Sequence, residues 1–220
     1  MKQFHLFDLI GPQMIGPSSS HTAGAARLGN VAWRLAEHQV RKAYVTLYGS
    51  FATTGAGHGT DRAIAAGLLG YPPEDERLRD SFALAKEQGC EITFQYSDEK
   101  RRHPNTAKIT VERKDGATIE LVGASIGGGS IEIQEINGME VSFGCDYPTL
   151  LIFHYDRPGV IHSVIGVLAE KNINVAFMRV IRSSRHQRAC MVIETDTSVE
   201  SAVAAQIRTA NPDIWEVCRL

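Results

Sequence analysis

Ser18-Ser19-Ser20-His21-Thr22 sets four hydroxyl side chains and an imidazole in succession, immediately ahead of an alanine-rich run. A helix start leaves about four backbone N–H groups without intrahelical partners, and the macrodipole adds partial positive charge there. Hydroxyls gathered at such a spot suit an anion, a carboxylate for example. They equally suit plain capping, in which one serine accepts from the backbone and the others fill a turn. His21 adds acid–base capacity near neutrality, since an unperturbed imidazole titrates at about 6.5.

A second histidine stands in similar company. The run Gly49 to Asp61, "GSFATTGAGHGTD", places His58 among Ser50, Thr53, Thr54 and Thr60. Its glycines favour a strand-to-helix turn whose N–H groups face a ligand. The run lacks the G-x-G-x-x-G dinucleotide pattern and the Lys that a phosphate-binding Walker loop requires. Thr60 is placed to cap the next helix. Asp61 either orients a partner or simply complements the helix dipole. A third loop, Ser125 to Ser130 with three consecutive glycines, reads as an anion nest or as a strand connection.

These residues need elements to hold them. Gly24, Leu28, Val31, Ala32 and Leu35 form the stripe of an amphipathic helix that ends near Glu37. "KAYVTLYGSF" reads as a strand, "TDRAIAAGLLG" as a short helix stopped by Gly70 and Pro72-Pro73, and "DERLRDSFALAKEQG" as a third helix. From Glu91 onward β-branched and aromatic runs alternate with turns, Lys114-Asp115-Gly116 making one hairpin. After "GCDYP" the order becomes βαββαβ, a ferredoxin-like unit, with Pro158 expected in the first turn of its first helix. The fold class is therefore α/β (α+β), with a mixed α/β domain over 1–144 and a second domain over 148–220.

Composition narrows the partners. The 220 residues carry 23 basic and 25 acidic side chains, a net charge of −2, so neither a nucleic-acid footprint nor an acidic tail is expected. No apolar run reaches the roughly 20 residues of a membrane span, and the start lacks a signal-peptide core, which points to the cytoplasm. Cys90, Cys145, Cys190 and Cys218 include no C-x-x-C pair, so no metal site is expected in this chain.

Two resemblances follow from these stretches. "DRPGVIHSVIGVLAEKNINV" resembles the ACT domain, a small amino-acid-sensing or dimerising module. "MIGPSSSHTAGAARLGNVA", "GSFATTGAGHGTDRA" and "SIGGGSIEI", in that order and followed by an ACT domain, resemble the β chain of iron–sulfur-dependent L-serine dehydratase. That resemblance implies conversion of L-serine to pyruvate and ammonia, with a separate α chain whose cysteines hold a [4Fe–4S] cluster. It assigns His58 or His21 as the base, the setting of His58 weighing slightly in its favour. It makes Ser18, Ser19, Ser20 and Thr22, with Thr60 and Asp61, the substrate-binding set.

In the ACT module, His154, Asp156 and Asn174 match ligand-contacting positions of serine-sensing relatives. Asp156 stands where such relatives carry asparagine, so homodimerisation through this domain ranks above effector binding. The remaining histidines, His5, His38, His103, His162 and His186, read as surface or packing residues, and Lys100-Arg101-Arg102-His103 as a solvated basic turn. The alternative is a non-catalytic sensing subunit resembling the allosteric part of phosphoglycerate dehydrogenases.

Overall fold

The computed structural model describes residues 13–101, 103–183 and 187–220. The chain divides into two compact units, 1–138 and 139–220. In the first, a π-helical segment, Ser19–Gly24, runs directly into α1, Ala25–Leu35. The predicted apolar stripe is buried as expected, with Leu28 and Leu35 fully enclosed. Beyond it Glu37 and His38 take positive φ and break the helix.

Strand β1, Val40–Tyr48, leads into α2, Gly49–His58, and α3, Thr60–Leu68. The predicted third helix is split into a 3-10 turn, Glu76–Asp80, and α4, Ser81–Glu87. The rest of this unit is strand, β2 Glu91–Ser97, β3 Thr106–Arg113, β4 Thr118–Gly127 and β5 Ser130–Ile136; β6, Met139–Phe143, opens the second unit. The sheet order is β2-β1-β3-β4-β5-β6. β1 and β2 are parallel, joined by the α2–α3–α4 crossover, while β3 runs antiparallel to β1 and pairs with β4 in the same sense. The Ser125–Ser130 stretch is the β4–β5 hairpin, and its Gly129 carbonyl accepts from Arg27 at 3.0 Å.

Two glycines let α1 and α3 lie backbone against backbone. A Cβ on Gly29 would stand 2.3 Å from the Ile64 carbonyl oxygen, and one on Gly67 would stand 2.1 Å from that of Ala26. This contact fixes the π-helical segment, which precedes α1, relative to the start of α3.

The second unit carries the predicted βαββαβ order: β7 Thr149–Tyr155, α5 Val160–Glu170, β8 Val175–Arg182, β9 Arg188–Thr195, α6 Ser201–Thr209 and β10 Ile214–Arg219. Its sheet order β10-β7-β9-β8 is that of a ferredoxin-like fold. Leu150, Ile152, Met191 and Ile193 face Val160, Val164, Leu168 and Ile207 of the helices in one core. Pro158 lies before α5 rather than in its first turn, because Gly159 at φ 92° occupies the N-cap. Among the described residues no helix is long and apolar enough to cross a membrane.

Candidate active site

The glycine-rich run around His58 is a helix, which corrects the expectation of a turn. Glycine and threonine are weak helix formers, so the reason is tertiary. The Pro104 carbonyl accepts from two N–H groups in the first turn of α2, Ser50 N at 2.8 Å and Phe51 N at 3.4 Å. The hydroxyls of Thr53 and Thr54 bond back to the carbonyls of Gly49 and Ser50 at 3.2 and 2.9 Å. Phe51 is wholly buried beneath the helix. Gly59, at φ 68°, then ends α2 and begins α3 in a left-handed conformation open to glycine.

Helical spacing puts Ser50, Thr54 and His58 on one face, at i, i+4 and i+8. His21 meets this face. Its Nε2 lies 3.2 Å from Ser50 Oγ and 3.1 Å from Thr54 Oγ1, and the two hydroxyl oxygens are 3.2 Å apart. The His21 ring packs 5.2 Å edge-on against Phe51 and 4.9 Å from the His58 ring. His58 donates Nδ1–H to the Thr54 carbonyl at 2.9 Å, which leaves Nε2 as the bare nitrogen of the neutral ring. Both rings are half-buried. The structure thus brings both predicted histidines together, and adds Ser50 and Thr54, which the sequence reading had not singled out.

The serine-rich stretch is assembled as its capping alternative described. Ser18 Oγ accepts from His21 N at 3.2 Å. Its own O–H stays available to an anion at the segment's start, where Ser19 and Ser20 are half-buried. A Ser18→Ala variant is expected to lose about 1 kcal/mol of stability, the usual value of an N-cap, read as a lower urea midpoint. Thr22, 1% exposed, donates instead to the His58 carbonyl at 3.4 Å and ties the π-helical segment to the end of α2.

Thr60 does not cap α3, because Gly59 holds that position; its side chain is wholly buried facing Gly55 and its hydroxyl has no partner among the described residues. Asp61 Oδ1 accepts from Arg62 N at 2.8 Å. Asp61 also lines an open cleft of about 440 Å³ together with Gly16, His58, Gly59, Arg62 and Arg79. Arg62 and Arg79 carry no sequence signal beyond their charge.

Burial, and then the neighbouring His58, hold the His21 pKa below its ordinary value, while a Ser50 carbonyl contact pulls the other way. The unfolded chain therefore binds more protons than the folded one as pH falls below about 6.5. Stability is expected to drop from there through the lower folded pKa. Urea titrations between pH 7.5 and 5.5 check this: the decline is smaller in His21→Gln than in the wild type.

No group of three or more His, Cys, Asp or Glu among the described residues is arranged to hold a metal ion. Cys90, Cys190 and Cys218 are buried, and burial pushes the thiol of Cys90 up to about 11 and that of Cys190 up to about 12. The basic turn is only partly solvated. Arg101 Nη2 donates to Tyr48 Oη at 3.3 Å, and its guanidinium pairs with Glu99 and Glu135. Arg102, His5 and His186 lie outside the described residues. His38 stacks on Trp33, His103 accepts from Asn105 N, and His162 is exposed, in keeping with surface or packing roles.

In the second unit the three predicted effector positions do not converge within one chain. His154 pairs across β9 with Ala189, whereas Val175, next to Asn174, pairs with Thr195. Those β9 positions are separated by about 20 Å at roughly 3.3 Å per residue. His154 is buried and donates Nδ1–H to the Tyr155 carbonyl at 2.8 Å. Asp156 pairs with Arg182 at 3.4 Å, and Asn174 donates to Asp196 at 2.7 Å.

Known proteins share this combination. Residues 4–88 match the family model described as "Serine dehydratase beta chain", and residues 149–210 match "ACT domain". The "Probable L-serine dehydratase, beta chain" of Bacillus subtilis (strain 168) is 45% identical over 220 residues, covering 100% of this chain and 99% of that protein. The "L-serine dehydratase, beta chain" of Peptoniphilus asaccharolyticus is 35% identical over 94% of both chains. A "D-3-phosphoglycerate dehydrogenase" of Methanocaldococcus jannaschii is 28% identical over 94% of this chain but only 39% of that protein. With relatives so similar across their whole length and two histidines gathered on one hydroxyl-lined helix face, the chain belongs to the L-serine dehydratase β-chain family.

Proposed function

We propose that this chain supplies the acid–base half of an L-serine dehydratase site that an α partner completes, converting L-serine to pyruvate and ammonia. The observation that carries the proposal is His58, whose Nδ1 is engaged by the Thr54 carbonyl and whose ring lines the open cleft. Its Nε2 takes the substrate α-proton. As that proton leaves, charge builds toward the carboxylate, which the O–H groups of Ser18, Ser19 and Ser20 and the first amides of the π-helical segment receive. Thr22 and Thr60 are both enclosed and present no exposed hydroxyl to it. Loss of the β-hydroxyl then gives an aminoacrylate, which hydrolyses to pyruvate and ammonia.

The departing hydroxyl is a poor leaving group. The described residues of this chain do not fit an iron–sulfur cluster, since the cysteines are dispersed and most are buried. We assign the [4Fe–4S] cluster, whose chemistry is Lewis-acid activation of that hydroxyl, to cysteines of the α chain. The second unit we assign to homodimerisation: β8 is an edge strand, and its Phe177 is 63% exposed.

Pyruvate release on mixing the chain with its α partner under anaerobic conditions tests the proposal, with His58→Ala as the decisive variant. The phosphoglycerate dehydrogenase likeness favours a second reading, a sensing subunit without catalysis. Unchanged turnover in both His58→Ala and His21→Ala would establish that reading instead.

A further inference from the structure

Thr54 touches both histidines through different atoms. Its carbonyl accepts Nδ1–H of His58 at 2.9 Å, and its hydroxyl oxygen lies 3.1 Å from Nε2 of His21. The hydroxyl has one proton, and, given to the Ser50 carbonyl at 2.9 Å, which can only accept, it is not available to His21. A lone pair of Thr54 Oγ1 is therefore what faces His21. A bare Nε2 there would set two lone pairs against each other. The contact is satisfied when Nε2 carries the proton, shared between Thr54 Oγ1 and Ser50 Oγ, while the Ser50 hydroxyl proton serves the 3.2 Å contact between the two oxygens.

We propose that Thr54 is a positioning residue that fixes the two histidines in opposite neutral tautomers, His58 as Nδ1–H and His21 as Nε2–H. One ring then presents a bare Nε2 and the other a bare Nδ1. The lowered His21 pKa agrees with a neutral ring at working pH, and the contribution of His58 to that lowering disfavours simultaneous protonation of the pair. The catalytic consequence rests on the role proposed above for His58; the tautomers themselves do not.

Long-range 1H–15N correlation spectra of the full chain with 15N-labelled histidine, taken at pH 8 without the partner, read both rings directly. The wild type is expected to show protonated Nε2 at His21 and protonated Nδ1 at His58. Thr54→Val should shift His21 toward a tautomer mixture while His58 keeps its form, because the backbone carbonyl persists, and Thr54→Ser should restore the wild-type spectrum. In the enzyme assembled with its α partner, Thr54→Val is expected to lower kcat by about 10- to 100-fold with little change in KM, because a His21 released from Thr54 no longer holds its ring at 4.9 Å against that of His58, and a misplaced reacting group costs on that scale. Thr54→Ser is expected to recover most of that loss.

A wild-type His21 protonated at Nδ1, or a His21 spectrum indifferent to Thr54→Val, overturns the proposal; an undiminished kcat in that variant with the tautomer shift present overturns its catalytic consequence alone. Tautomers as assigned, alongside full turnover in His58→Ala, would leave this assignment standing while removing His58 as the base.

Discussion

His58→Ala, assayed with the α partner under anaerobic conditions, is expected to lose about 10²- to 10⁴-fold in kcat, the usual contribution of a positioned general base. The loss should appear in kcat and kcat/KM together, because the proton moves only in the transition state and the variant leaves the proposed carboxylate donors of the serine-rich segment in place. The fold should survive, since His58 is half-buried and its side-chain bond is to a carbonyl of its own helix. Removing it also removes the charge that depresses His21, so the His21 pKa should rise in the variant. A drop in turnover with an unchanged urea midpoint and an upward His21 titration identifies the base. Full activity with the same titration change would show that the two rings are neighbours and nothing more.

The largest stability effect is expected from Gly67→Ala. A methyl group there would lie 2.1 Å from the Ala26 carbonyl oxygen and 2.7 Å from Asn30 N, atoms of the facing backbone that have no rotamer to change. The two helices have to separate. Overpacking usually costs about 1–3 kcal/mol, and a backbone-to-backbone clash belongs at or beyond the top of that range, against about 1 kcal/mol gained in helix propensity. Gly166→Ala in α5 is the control, because a methyl group there meets nothing within 4 Å, so its propensity gain goes unopposed. Urea unfolding should show a clear fall in midpoint for the first and a small rise for the second, with similar m values. Equal midpoints would mean that α1 and α3 do not pack as described. Because α1 continues the His21 segment and α3 begins just past His58, the assembled enzyme should lose activity as well.

The elements that obey simple periodicity were legible in the sequence. The Gly24-to-Leu35 stripe, the β-branched runs after Glu91 and the βαββαβ order all emerge from spacing, since burial on one face is what produces each pattern. The Gly49–His58 helix was not legible, because its residues disfavour helix and its start depends on a carbonyl 54 positions later in the chain, that of Pro104. Misreading it as a turn hid the site's geometry: only on a helix do Ser50, Thr54 and His58 align. Both histidines stood out as candidates by their hydroxyl-rich surroundings. Their proximity was not legible, because no sequence spacing encodes a contact between residues 37 apart. Thr22 and Thr60 show the limit of reading by residue type, for a hydroxyl suited to an anion is equally able to vanish into a core.

The Thr22 bridge to the His58 carbonyl, with Phe51 wedged beneath His21, settles when the two histidine rings acquire their order. They are immobilised as this polypeptide folds, ahead of any encounter with the second subunit. Docking then need not offset the entropy of arranging them, and the association energy stays available for closing the chamber around its amino acid.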